Sequence, residues 1–279
     1  MFEWSAFSQS GSRKPCNDDS WLAFSSSPTG ATQLDPEGSH SLEKHDLVFA
    51  VSDGMGGGNA GDIASSSILH KMSEAIPETF KMAASGFYPD CLDHLTATIS
   101  SVHEQINEAA IGENSGMAAT LALAWFTPDN LYIANVGDSR IYRSRNGTLE
   151  QLTRDHTSAW AQLNRGEISE VEYRNHPRRA ALYEVVGGNH PTVHPYFAAI
   201  PYEKDDRFLI CSDGLIDGVW DRHISNALSE PISPHEAAQR LLNRSLDNSG
   251  IDDTTLIVIH VLADSHELHT HHPIPEDLA

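Results

Sequence analysis

Apolar and polar positions along this chain repeat with two different periods, and the switches between them divide it into elements. Trp4 to Ser8 alternates with period two, as an edge strand does, and Trp21 to Ser25 reads as the next strand. From 26 to 44, Gly, Ser, Pro and Thr predominate, which predicts a long surface loop of hairpin type. Leu47 to Val51 is an apolar run without charge, the pattern of a strand covered on both faces. Helical spacing follows over Ala60–Ala75, through Ile63, Ala64, Ile68, Leu69 and Met72, with a stop expected at Pro77. A second helix is predicted over Cys91–Ala110, with Leu92, Leu95, Ile99, Val102 and Ile106 on one face.

From Ala118 the pattern returns to short strands. They are expected over Thr120–Phe126, Asn130–Val136, Ser139–Arg145 and Leu149–Leu152, with turns at 127–129, Gly137-Asp138 and Asn146-Gly147. Asp155–Pro191 is polar and reads as an excursion of short helices. Strands resume at Val193–Ile200 and Arg207–Cys211, a helix follows over Pro234–Leu246, and Thr254–Leu262 is an apolar closing strand. Strand runs bracketed by helices, rather than alternating with them, predict an α+β fold. One domain is expected over 1–263. The tail, 264–279, carries His266, His269, His271 and His272 with almost no apolar periodicity, and is predicted to be disordered.

Composition narrows the function classes. The chain has 279 residues, with 39 Asp plus Glu against 18 Lys plus Arg and a formal net charge of −21. Such acidity repels nucleic acid and anionic membranes, so neither is an expected partner. Cys16, Cys91 and Cys211 lie far apart and form no metal or disulfide framework. No apolar run approaches the roughly 18 residues of a membrane span, and no leader pattern opens the chain. A cytoplasmic location is expected.

The chemistry gathers at strand ends. Val48 to Val51 leads into Ser52-Asp53-Gly54-Met55 and then Gly56, Gly57 and Gly58. An ionised carboxylate leaving a core needs a partner, and a divalent cation is the most effective one. Three further segments repeat the arrangement: Gly137-Asp138 after Leu131–Val136, Ser212-Asp213 after Phe208–Cys211, and Asp252-Asp253 before Thr254–Val261. Taken singly each is an ordinary turn aspartate. Together, with no competing Cys or His cluster, they form an all-oxygen set suited to Mg²⁺ or Mn²⁺. Two adjacent ions can lower the pKa of a shared water, and Arg13, just before Asp18 and Asp19, offers a planar fork for phosphate oxygens. The set fits direct hydrolysis of a phosphate ester.

The ordered segments Asn17-Asp18-Asp19-Ser20, Asp53-Gly54-Met55-Gly56-Gly57, Gly116 to Thr120, Val136-Gly137-Asp138-Ser139-Arg140, Thr153-Arg154-Asp155-His156, Ser212-Asp213-Gly214 and Asp252-Asp253-Thr254-Thr255 resemble the metal-dependent protein serine/threonine phosphatases of type 2C. The resemblance spans residues 5 to 261 and points to a bacterial-type member. It implies a four-layer αββα sandwich of two antiparallel sheets flanked by helix pairs. It implies that Asp53 bridges two metal ions and that the Gly54 carbonyl binds one of them. Asp213 and Asp252 would complete the first ion's shell, and Asp18 and Asp19 would hold the second or its waters. Asp138, with Asp213 and Asp217, would form a weaker third site. Arg13 would bind the substrate phosphate, and 155–191 would be the flap beside the cleft. Phosphorylated proteins are the implied substrates and a Ser/Thr kinase the implied counterpart.

Three departures from the family pattern stand out. Met55 occupies the position of a histidine general acid in many eukaryotic members, so the leaving group would be protonated by metal-bound water. Arg13 sits one residue further from the acidic pair than usual. Asp253 replaces a common asparagine, either tightening metal binding or facing solvent. Three other readings stay open at this point: a catalytically weak phosphoprotein-binding regulator of the same fold, a phosphatase dedicated to one partner in a sigma-factor pathway, and a small-molecule phosphatase.

Overall fold

The computed structural model describes residues 1–13, 16–27, 29–43, 45–57, 59–84 and 91–262, so the four tail histidines and the predicted disorder around them lie outside the described residues. The chain opens with β1 (Phe2–Gln9), β2 (Asp19–Ser27), β3 (Gly30–Gln33), β4 (Glu37–His40) and β5 (Asp46–Met55). Two long helices follow, α1 (Ala60–Ala84) and α2 (Cys91–Ala109). The meander comes next: β6 (Ala118–Ala119), β7 (Leu121–Phe126), β8 (Leu131–Val136), β9 (Arg140–Arg145) and β10 (Thr148–Gln151). The excursion contains α3 (Ser158–Asn164), α4 (Glu170–Arg174) and β11 (Val186–Gly187). The chain then runs through β12 (Tyr196–Ile200), β13 (Arg207–Cys211), α5 (Asp213–Gly218), α6 (Asp221–Ser229), α7 (Pro234–Asn248) and β14 (Thr254–Val261).

The strands form two antiparallel sheets. Among the described residues one runs β10-β9-β13-β14-β1-β4, and the other is built around β5, which pairs with β2 on one side and β7 on the other. Side-chain alternation decides the layering. On β5, Leu47, Phe49 and Val51 enter the apolar layer between the sheets, where they meet Phe208, Ile210, Ile257 and Ile259. Val48 and Ala50 point the other way, onto Ile68, Met72, Ile99 and Val102 of α1 and α2. The second sheet mirrors this: Leu256 and Val258 of β14 face Leu215, Leu241 and Ile224 of α5, α7 and α6. Each such side chain, fully buried, contributes about 1.5–3 kcal/mol of transfer free energy. The result is helices, sheet, sheet, helices, the α+β sandwich expected.

Four local differences have physical causes. The α1 helix does not stop at Pro77 but continues through it to Ala84. Proline removes one backbone bond, yet Met72 and Ile76 remain buried against the sheet and hold the axis. The 26–44 loop contains β3 and β4, polar edge strands that exist because β2 and β1 offer free edges to them. The strand expected from Val193 begins at Tyr196. Finally α5 and α6 join α7, so that side of the sandwich carries three helices rather than a pair.

Candidate metal centre

Strand ends deliver the acidic residues to one edge of the sandwich. Asp19 opens β2 and Asp53 lies directly opposite it on β5 in the ladder. Asp138 follows β8, Asp213 opens α5 just after β13, and Asp252 precedes β14. Asp18, Asp19 and Asp138 are buried. Like charges opposed across a ladder are unfavourable, so the backbone must impose the arrangement.

It does so with a dense set of bonds. The Asp53 N–H donates to Thr120 Oγ1 (2.9 Å), whose own N–H returns to the Asp53 carbonyl (2.9 Å). Thr120 Oγ1 also shares a hydrogen bond with Ser139 Oγ (2.6 Å). Gly137 has φ +95°, and a Cβ there would meet Thr120 Cγ2 at 2.6 Å, so glycine is what lets the chain turn to present Asp138. Gly54 pairs with Ala119, and its N–H donates to the Asp18 carbonyl (3.1 Å). A Cβ on Gly54 would lie 2.1 Å from the Gly61 carbonyl oxygen, which excludes any side chain. Ser212 Oγ donates to Asp19 Oδ2 (2.7 Å) and receives the Thr255 N–H (3.0 Å).

Burial and mutual repulsion dominate the electrostatics of these carboxyls. Burial pushes the Asp53 carboxyl well up, and Asp19, Asp213, Asp138 and Asp252 all push it further. Asp19 is pushed up to about 7, chiefly by burial, against the hydrogen bond from Ser212. Asp213 is pushed up to about 6 by burial and then by Asp217 and Asp252, while a hydrogen bond with Asp53 pulls it down. Asp138 is held well above the usual carboxylate range by burial and Asp213, with Arg140 and Arg179 opposing. Among the described residues, no three His, Cys, Asp or Glu side chains are already drawn into a closed cage around an ion position. The donor chemistry of these carboxylates is all oxygen. Such a set fits hard divalent cations.

The protein phosphatase 2C family matches residues 29–249. This chain belongs to that family. It is 34% identical to the serine/threonine phosphatase Stp of Listeria welshimeri over 214 residues, which cover 76% of this chain and 83% of the relative. The solved structure of Stp1 from Staphylococcus aureus aligns with a TM-score of 0.77 at 26% identity, covering 94% of this chain and 95% of that one. A PstP catalytic domain solved in complex with 2 manganese ions aligns with a TM-score of 0.70 at 28% identity, covering 94% of this chain and 100% of that one.

Within this phosphatase 2C domain, three residues take places that sequence reading alone did not give them. Asp253 does not face solvent, and its charge adds to those acting on Asp19. Its Oδ2 accepts the Asp18 N–H (2.7 Å) and its Oδ1 the Gly11 N–H (2.8 Å), so it ties the Arg13 loop and Asp18 to β14. Arg179, in the 155–191 excursion, bonds Asp217 and acts on Asp213 and Asp138 as well. Nothing in a polar stretch marks one arginine over its neighbours. Arg140 is buried, with its guanidinium on Asp155 (Nη2 to Oδ2, 2.6 Å) and on the hydroxyls of Tyr142 (2.7 Å) and Tyr173 (2.8 Å). That network fastens the start of the excursion and α4 to β9, beside Asp138.

Arg13 is 65% exposed and donates from Nη1 to Asp252 Oδ2 (3.2 Å), with Asp252 itself 34% exposed. The Arg13 N–H donates to the Ile251 carbonyl (2.9 Å), so its loop rests on the strand entry that presents Asp252. Met55 ends β5.

Proposed function

We propose that this chain hydrolyses phosphoserine and phosphothreonine in proteins, using divalent metal ions held by the strand-end aspartates. The observation that carries the reading is the convergence of Asp19, Asp53, Asp138, Asp213 and Asp252, acting on one another as like charges, in a phosphatase 2C sandwich. The serine/threonine phosphatase relatives support the reaction class, and the manganese in the PstP structure supports the metal.

In this reading Asp53, the Gly54 carbonyl, Asp213 and Asp252 would hold one ion, and Asp53, Asp18 and Asp19 would hold a second. Asp138 with Asp213 makes a weaker third site. Bound Mg²⁺ or Mn²⁺ supplies Lewis acidity that lowers the pKa of water and offsets phosphate charge. Arg13 receives two phosphate oxygens through its fork and orients the ester for in-line attack. With a cation at the Asp252 carboxylate, the Arg13–Asp252 bond would weaken and leave the guanidinium to the substrate. Met55 has no proton to give, so no side chain at that position assists the leaving group. Phosphorylated proteins are the substrates, and a Ser/Thr kinase is the opposing activity.

Turnover of a phosphothreonine peptide, with Mn²⁺ and with chelator, tests this directly. Metal-dependent release of phosphate that is lost in Asp53→Asn and Asp213→Asn is the expected result. Metal binding by calorimetry without turnover in the unmodified chain would instead leave a phosphoprotein-binding regulator.

A further inference from the structure

At the opposite end of β13 from Asp213 lies a cavity of about 390 Å³. Six residues of extended chain separate the two ends by about 20 Å. The floor is a row across three strands: Ser144 pairs with Arg207, and Arg207 with His260. The Asn146-Gly147 turn and the end of α6, Leu228 to Pro231, form the walls.

Most charges here are already paired. Arg145 donates to both oxygens of Asp206 (2.6 Å each) and to Glu203 (2.9 Å), and Glu230 receives Arg240 (2.6 Å). Asp205 stands 3.9 Å from His260 Nε2. Arg207 differs. The residue is only 8% exposed, and its Nη1 has no hydrogen-bond partner among the described residues. Burial lowers its pKa, and Glu3 and Asp205 act on it only through space. A buried guanidinium nitrogen is costly to keep without an acceptor, and the planar fork that carries it is shaped for an oxyanion.

We propose that this cavity is a second ligand site, remote from the metal centre, that binds a phosphate-type oxyanion through Arg207. Ser144 and His260, flanking Arg207 in the strand row, offer further polar groups to the same ligand. The cavity has room for more than the inorganic ion, so an organic phosphate is within its reach. The inference does not depend on the catalytic reading.

Inorganic phosphate titrated into the Mg²⁺-loaded full chain tests it, followed by NMR of the backbone amides at 144–147 and 228–230. Saturable shifts are expected there, with affinity at least tenfold weaker in Arg207→Met and intermediate in Arg207→Lys, which keeps the charge and loses the fork. If Arg207→Met does not fold, Arg207→Lys and His260→Gln carry the comparison, each expected to weaken binding severalfold. A phosphonate analogue of phosphoserine binding more tightly than phosphate would identify an organic phosphate as the ligand, and equal affinity would identify the free ion. Absence of shifts at these amides, or the same titration in the variants as in the parent, overturns the proposal whether or not the chain turns over phosphopeptides.

Discussion

The two oxygens of Asp253 accept one backbone N–H each, from Gly11 and Asp18. In Asp253→Asn one of those oxygens becomes an NH₂ facing an N–H, and a buried donor goes unmet. A loss of about 1–3 kcal/mol is expected, read as a lower urea midpoint at unchanged slope. The clustered carboxyls at the same edge make the opposite kind of demand. Asp213 is pushed up to about 6 and Asp19 to about 7, so the folded chain holds these protons more tightly than the unfolded one. The stability they contribute is complete below the ordinary carboxylate pKa of about 4 and is lost as pH rises through 6 to 7. Urea unfolding in chelator should therefore give a lower stability at pH 7.5 than at pH 5, and added Mn²⁺ should offset the loss because it binds the deprotonated form. Asp53→Asn should separate the two roles. It removes a carboxyl whose ionised form burial and four neighbouring aspartates disfavour, so the metal-free chain should lose less stability as pH rises, while kcat/KM with Mn²⁺ falls by a factor on the order of 10³.

Among the elements, the 155–191 excursion hangs on one buried network. Asp155 receives Arg140 and the Tyr173 hydroxyl, and Gln151 adds a bond to it (2.8 Å). Asp155→Asn leaves the Arg140 guanidinium buried with a neutral partner, and a cost of about 3–5 kcal/mol is expected in global unfolding. Hydrogen exchange over α3 and α4 should speed up in Tyr173→Phe, a milder cut in the same network. The strands at the centre of both sheets were legible in the sequence because apolar runs such as Leu47–Val51 and Phe208–Cys211 carry their own signal. Asp53, Asp138, Asp213 and Asp252 stood out for the same reason, since each borders such a run, whereas Asp18 and Asp19 lie in a polar stretch and were marked only by the family resemblance. By contrast α5 has six residues, too few for a helical period to show, and α6 buries only Ile224, Ala227 and Leu228 of its nine. The polar strands β3 and β4 take their form from neighbours, and Pro77 was overruled by the packing of Met72 and Ile76. Asp253 and Arg179 act on partners distant in sequence, which no local pattern encodes.

Taken whole, the molecule carries a net charge of −21, and its long-range field favours cationic partners. Phosphopeptides flanked by Lys and Arg should show kcat/KM about tenfold above acidic counterparts at low ionic strength, the difference shrinking as salt screens the field. The sheets also bring the two ends of the domain together: β1 pairs with β14 along its full length, and Leu262 N–H donates to the Met1 carbonyl (2.8 Å). The Asp18 and Asp253 that hold the metal edge together are 235 residues apart. Ordering of that kind sets a timetable during synthesis. While the ribosome still covers the last strand, β1 lacks its main neighbour and Asp18 lacks the acceptor that fixes its backbone. A nascent chain therefore lacks the Asp18–Asp253 tie until β14 has emerged, and the edge that gathers the aspartates is completed only then.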